Sequence, residues 1–283
     1  MTNIPQLPVS DWINHFVNWL EGFTGFFNGI TNFIGGIING FQWIFDLIPI
    51  WLFIIIVVGV TYWLNRKTKH WSLIAFELIG LIYIWNQGYW RDMTQTLTLV
   101  LTSSLIALVI GVPLGIWMAK SKAVEIIVKP ILDFMQTMPA FVYLIPAVAF
   151  FGIGMVPGVI ASVIFAMPPT IRMTNLGIRQ VPADLIEAAD SYGSTAWQKL
   201  MKVQLPLAKS TLMAGVNQSM MLSLSMVVIA SMIGAMGLGN KVYFAVGRND
   251  AGSGFAAGLA IVILAIILDR ITQAINRSKT PKA

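Results

Sequence analysis

The residues best suited to recognition lie in one polar stretch, 172–210. Its centre reads Glu187-Ala188-Ala189-Asp190, then Gly193, Val203 and Leu205-Pro206. The chemistry on offer is docking rather than bond-making. The Glu187 carboxylate can hold a basic group on a partner or tie its own loop together. Ala188 and Ala189 are small enough to enter a cleft. Gly193 suits a left-handed cap or a sharp reversal. Tyr192 and Trp197 can pack in such a cleft or anchor at an interface. Catalytic constellations are missing from the sequence: it has no H-E-x-x-H, no G-x-S-x-G and no paired carboxylates. Nor does it have a G-x4-G-K-[ST] loop to cradle the phosphates of ATP. His15 and His70 are far apart and there is no cysteine, which argues against a metal cluster and excludes disulfides.

The stretch has its own start and stop signals. Pro182 is tolerated at a first turn, so a short helix is expected over about 183–191. Ser194 or Thr195 can cap a second helix running to Leu200 or Val203, which Pro206 should stop. The expected element is a helix-turn-helix lying along a membrane face, where a soluble partner can push on it.

The rest of the chain is made for lipid. Of its 283 residues 57% are hydrophobic and 11% charged, against about 25% charged in soluble domains. The apolar runs are long and continuous, unlike the alternating strands of a membrane barrel, so the fold class is all-α and polytopic. Candidate spans are 48–64, 71–87, 94–118, 131–151, 158–173, 212–234 and 255–275. The net charge of +6 points to basic membrane-flanking loops rather than to nucleic acid. Arg66, Lys67, Lys69, Lys120, Lys122, Lys129, the polar stretch and the C-terminal tail fall on one side. Arg91, Lys241 and Arg248 alone fall on the other. Lys and Arg gather in cytoplasmic loops. This places the N-terminus outside, and the polar stretch and the C-terminus inside. The N-terminus lacks a basic n-region, so no cleaved signal is expected.

Residues 23–45 carry a stripe of Asn28, Asn32, Gly35, Asn39, Gln42 and Asp46 at steps of three and four. The reading is an amphipathic helix in the outer interface, bracing the bundle. The alternative is an eighth span, which would put the N-terminus inside. Glu77 lies within the second span, where a structural role is favoured over a proton relay. Pro113, Pro139, Pro146, Pro168 and Pro169 are expected to kink or interrupt spans. The many methionines of the sixth span read as core filling.

With Val203 for Ile as a mild departure, the polar stretch resembles the coupling loop of ABC importer permeases, E-A-A-x3-G-x9-I-x-L-P. Its flanks extend the likeness. Gln136-Thr137-Met138-Pro139-Ala140-Phe141, Ala166-Met167-Pro168-Pro169-Thr170, Asn217-Gln218 and Leu224-Ser225-Met226 resemble permease subunits of glycine betaine/proline betaine importers of the ProW and OpuAB type. The likeness covers roughly 94–275; Met236 stands where the family suggests glycine. It implies a type I ABC importer permease fold with a five-span core in 91–283 and a coupling loop at about 174–209. Residues 48–90 would then be two accessory spans and 1–47 an extracytoplasmic segment. It implies a homodimer of permeases, two cytoplasmic ATPase subunits that bind ATP and magnesium, and an extracytoplasmic substrate-binding protein. The chain itself is then a non-catalytic subunit of the cell membrane, in contact with lipid and without a cofactor.

A quaternary amine zwitterion would want aromatic faces for its cation and donors for its carboxylate. Tyr143, Phe141, Trp117 and Phe165 offer the first; Gln136, Thr137, Asn217, Gln218, Ser223 and Ser225 offer the second. Each has a plain alternative in packing or in bonding across helices. Two rival functions stay open: a permease for another solute such as choline, carnitine or an amino acid, and a carrier driven by an ion gradient. The second would want repeated halves and buried carboxylates, of which Glu77 is the only hint.

Overall fold

The computed structural model describes residues 7–64 and 71–277. Arg66, Lys67, Lys69, His70, Lys279 and Lys282 lie outside them. Among the described residues every regular element is helical. Two helices, α1 (Val9–Glu21) and α2 (Thr24–Leu47), precede α3 (Ile50–Leu64) and α4 (Trp71–Asn86), which pack side by side. Then come α5 (Trp90–Lys120), α6 (Lys122–Thr137), a 3-10 turn at Ala140–Tyr143, α7 (Leu144–Phe151) and α8 (Met155–Arg179). The polar stretch forms α9 (Ala183–Ser191) and α10 (Ala196–Lys199), followed by a π turn at Leu200–Gln204. The chain ends with α11 (Leu205–Ser231), α12 (Leu238–Gly247) and α13 (Ala251–Arg277).

The core is α8 held lengthwise between α5 and α11. Lipid tails are as apolar as leucine, so such helices associate through close packing and hydrogen bonds. Small residues allow it. A Cβ on Gly115 would stand 2.6 Å from Thr174 Cβ and 2.7 Å from the Ile171 carbonyl oxygen, and Gly111 meets Thr170 in the same way one turn earlier. Leu99, Val100, Ala107, Ala161, Ala166, Ile171 and Met226 close the seam without solvent contact. Hydroxyls in it turn back on their own helices: Thr98 donates to the Thr94 carbonyl, Ser103 to Leu99 and Ser162 to Gly158. Thr170 and Ser219 bond across α8 and α11 at 2.6 Å. Packed on this core, α13 also receives α3 and α4.

Proline joints turn the chain at three places. Pro Cδ drives the preceding residue out of the helical region. Ile48 (ψ 116°) before Pro49 and Met138 (ψ 136°) before Pro139 are both extended. There α2 turns by 102° into α3, and α6 by 108° into the segment 140–151. The expected single span 131–151 is therefore a bent pair. Val181-Pro182 is the third joint and opens α9. Pro113, Pro168 and Pro169 sit inside unbroken helices, while Pro146 falls in a first turn where its missing N–H leaves no gap.

The polar stripe of 23–45 falls on a real helix, but that helix packs on its apolar neighbours. Ile34 and Ile38 are buried, Phe27 stacks on Phe150 at 4.8 Å, and Asn28, Asn32 and Asn39 are exposed. Gln42 bridges to α5, accepting from Thr98 at 3.3 Å and donating to Asp46 at 2.9 Å. Thus α2 touches the starts of α5 and α8 and the end of α7, which the charge pattern assigns to one side of the membrane. Glu77 is fully buried between α3 and α4 and accepts from Thr61 at 2.9 Å.

Candidate coupling site

Two proline and glycine signals shape the helix-turn-helix. After Pro182, α9 runs from Ala183 to Ser191, as its sequence predicts. Gly193 has φ +71°, Ser194 N–H donates to the Ala189 carbonyl at 3.0 Å, and Gly193 N–H donates to the Asp190 carbonyl at 2.9 Å. This pair of bonds closes a helix C-terminus around a left-handed residue. Thr195 then caps α10 reciprocally: its hydroxyl accepts from Gln198 N–H, and the Gln198 side chain accepts from Thr195 N–H.

The two helices are clamped together. Lys199 Nζ donates to both Asp190 carboxylate oxygens at 2.6 and 2.7 Å. Asp190 therefore ties the loop, while the Glu187 carboxylate has no hydrogen bond or ion pair among the described residues. Glu187 instead borders an open groove of about 340 Å³ with Lys120, Arg179, Ile186 and Gln204. No residue of α9 is buried, Ala189 is half-buried, and Tyr192 is 90% exposed and Trp197 67%.

Pro206 does not stop the second helix. The chain stays helical from Ala196 to Ser231, because the π turn at Leu200–Gln204 widens the ring just before the proline. Leu205 N–H reaches the Leu200 carbonyl there. Val203 and Leu205 are half-buried and Pro206 is exposed. Leu200 is 3% exposed, packed with Ile178 and Ala208, and Ile116, Ala119, Leu205 and Leu212 close round it. The exposed handle is thereby continuous with α11 and wedged against the ends of α5 and α8.

The expected substrate-path residues do not form one site. Tyr143 is buried in the α6–α7 elbow, donating to the Met135 carbonyl beside Phe165. Gln136, Thr137 and Phe141 stand exposed on that elbow, and Thr137 donates to the Phe134 carbonyl at 3.1 Å. Gln218 and Ser225 lie seven residues apart on an exposed face of α11, the helix against which the elbow turn packs. Trp117 is exposed on α5, and Ser223 is buried. Asn217 points elsewhere. It donates to Asp269 at 2.8 Å and accepts from Thr272 at 2.7 Å, joining α11 to α13.

Five features escape a reading of motifs. Asp269, held also by Gln273 at 2.8 Å, is a carboxylate inside the last apolar run; position alone could have flagged it. Arg172–Asp133 and Arg179–Glu125, each at 2.6 Å, tie α8 to α6. Neither these pairs nor the Lys199–Asp190 clamp has a local spacing signal. Leu200 could have been found from its spacing of five to Leu205, once a π turn is allowed.

Comparison with known proteins decides the family. Residues 111–281 match the family model described as binding-protein-dependent transport system inner membrane component. The chain belongs to that family. Over 98% of this chain and of its own length, the glycine betaine/carnitine transport permease protein GbuB of Listeria monocytogenes is 76% identical. The glycine betaine transport system permease protein OpuAB of Bacillus subtilis is 56% identical over 99% of this chain and 98% of its own. ProW of Escherichia coli, a glycine betaine/proline betaine permease protein, is 53% identical over 84% of this chain and 66% of its own. Among solved structures, the inward-facing MetNI methionine ABC transporter has a chain matching 71% of this permease and 98% of itself. Its TM-score is 0.63 at 22% identity, a likeness of fold. The permease is thus an all-α, multi-pass membrane protein of the importer permease fold.

Proposed function

We propose that this permease forms the translocation path of an ATP-driven importer of glycine betaine and related quaternary amine zwitterions. The observation that carries the reading is the handle α9–α10. It is exposed, clamped by Asp190–Lys199, and continuous through Leu200 with a spanning helix. Such an element passes a push from a soluble partner into the membrane core. Glu187, Ala188 and Ala189 meet the partner; Asp190 and Gly193 fix the turn; Val203, Leu205 and Pro206 seat the return into α11.

The partner is a cytoplasmic ATPase that binds and hydrolyses ATP with magnesium. Two of them serve a permease homodimer fed by an extracytoplasmic binding protein. The permease needs no cofactor of its own and no nucleic acid. In this arrangement residues 1–47 lie at the outer interface, with α2 across the outer ends of α5, α7 and α8. Residues 48–90 are accessory, and 91–283 form the core, with its C-terminus and the loop 174–209 in the cytoplasm. The exposed α11 face with Gln218 and Ser225, together with the elbow residues Gln136 and Thr137, borders the path, and Tyr143 holds the elbow from within. Asn217 supports it through Asp269. Similarity to a glycine betaine/carnitine permease favours carnitine as a second substrate.

The test is uptake of labelled glycine betaine into vesicles holding permease, ATPase and binding protein, with unlabelled carnitine, proline betaine and choline as competitors. Uptake that persists without the ATPase, driven by an ion gradient, refutes the reading.

A further inference from the structure

The first helix has an apolar face that nothing among the described residues buries. On α1, Trp12, Phe16 and Trp19 line one side with Ile13 and Leu20, while Asn14, Asn18, Asp11 and His15 line the other. None of its residues is buried, and Trp12, Ile13, Phe16 and Trp19 are 55–61% exposed. In water this much clustered aromatic surface is a liability that marks an interaction site.

What covers it follows from continuity and charge. Trp19 meets Phe23 edge-on at 5.2 Å, and Phe26 and Phe33 of α2 are exposed in turn. Beyond the 102° elbow, Trp51 and Ile55 of α3 are exposed as well. The aromatic band of α1 thus runs into the exposed apolar surface of α2 and α3, the kind of surface a multi-pass membrane protein turns to lipid. Trp and Phe side chains favour the headgroup boundary, where amphipathic helices lie in the plane. The usual electrostatic helper is absent: no Lys or Arg precedes Arg66, while Asp11 and Glu21 are acidic.

We propose that α1 lies in the outer leaflet, its Trp12–Phe16–Trp19 face seated at the headgroup boundary of the bilayer, held by apolar burial and not by charge. The ligand class is a lipid surface, and its attachment is indifferent to salt. This rests on the outward placement of residues 1–47. It goes beyond that placement by naming what holds the segment: a lipid anchor at the free end of α2, the helix lying across α5, α7 and α8. The anchor would keep that strap in the bilayer plane while the core helices move.

The chain has no cysteine, so single spin labels report cleanly. Phe16→Cys and Trp12→Cys probe the apolar face and Asn18→Cys the polar one. Each is used in the full importer in vesicles, after betaine uptake has been verified. Labels at 16 and 12 should relax with oxygen but lose access to an aqueous nickel chelate. The label at 18 should meet chelate added outside. Molar salt should change none of this. Three results overturn the proposal: chelate access at 16 and 12, meaning a helix free in water; shielding from both agents, meaning a protein partner such as a second copy; or release by salt. Chelate access at 18 from the inside only also overturns it, and refutes the outward topology while leaving ATP-driven uptake untouched.

Discussion

Replacing Gly193 separates conformation from contact at the centre of the proposed coupling element. Its φ is +71°, and a Cβ built there meets nothing within 4 Å. A side chain at this position therefore costs backbone strain and no clash. For an ordinary L-residue the left-handed region costs about 1–2 kcal/mol, and for a β-branched one it is a genuine outlier. Asparagine tolerates it. A cost of ~1–2 kcal/mol shifts a two-state population by roughly 5–30-fold. The ordering Gly193 ≈ Asn > Ala > Val is then expected in the betaine moved per ATP hydrolysed, measured in vesicles with ATPase and binding protein. The strained turn would also loosen the Asp190–Lys199 clamp, since it joins the two clamped helices, so ATPase copurification should fall in the same order. A valine variant that transports and copurifies like the parent refutes the argument. So does an asparagine variant as impaired as valine, because contact rather than φ would then set the cost.

Other substitutions test neighbouring steps. Leu200→Ala opens a cavity at the wedge between handle and core and should cost about 2–5 kcal/mol, read as a lower thermal midpoint with weaker uptake; an unchanged midpoint would remove Leu200 from the transmission path. The exposed Asp190–Lys199 pair is worth only about 0.2–1 kcal/mol, so a double-mutant cycle with Asp190→Asn and Lys199→Met should show small coupling, and a larger value would mean the clamp is shielded in the complex. Gly115→Val should abolish folded permease in detergent size-exclusion profiles, because the Ile171 carbonyl oxygen 2.7 Å from its Cβ cannot give way; a monodisperse variant would show that α5 and α8 pack less closely. Asn217→Ala should lower thermal stability by about 1–3 kcal/mol through loss of its hydrogen bonds to Asp269 and Thr272 with KM for betaine unchanged, whereas Gln218→Ala should move KM; the reverse pattern would place Asn217 in the path.

Local signals decided how legible the chain was. Composition marked the long apolar helices because lipid leaves few options to a backbone, whereas the run at 48–64 is one arm of a bent pair and that at 71–87 a shorter helix. Pro182 and Gly193 act on their own neighbours, so α9 and its turn were readable from the sequence. Pro206 was misread because a π turn accommodates it, at a point where Leu200 packs on Ile178 of α8, a contact remote in sequence. The 131–151 run looked like one span because hydropathy does not register the extended Met138 before Pro139. Asn217 was assigned to a path by its type; only α13 reveals Asp269 and Thr272 as its partners. Ion pairs such as Arg172–Asp133 join residues 39 apart, beyond any local pattern.

The three proline joints differ in what they separate, and the difference bears on motion. At Ile48-Pro49 and Met138-Pro139 the chain turns by 102° and 108°, so the helices on either side share no axis and a push along one is not passed along the other. At Pro182 the turn lets α9 leave α8 and lie exposed. Pro206 is the exception: helix is kept from Ala196 to Ser231, and displacement of the handle has a stiff route into α11. That route runs past Leu200, where Ile178 of α8 and Ile116 of α5 touch the same apolar knot. A force on α9 is therefore shared by α11, α8 and α5 at the ends that meet at Leu200, while α2 packs on the opposite ends of α5 and α8. Beside that knot the Gly111–Gly115 seam brings α5 too close to α8 for the two helices to slide past one another, so a force delivered there moves them together.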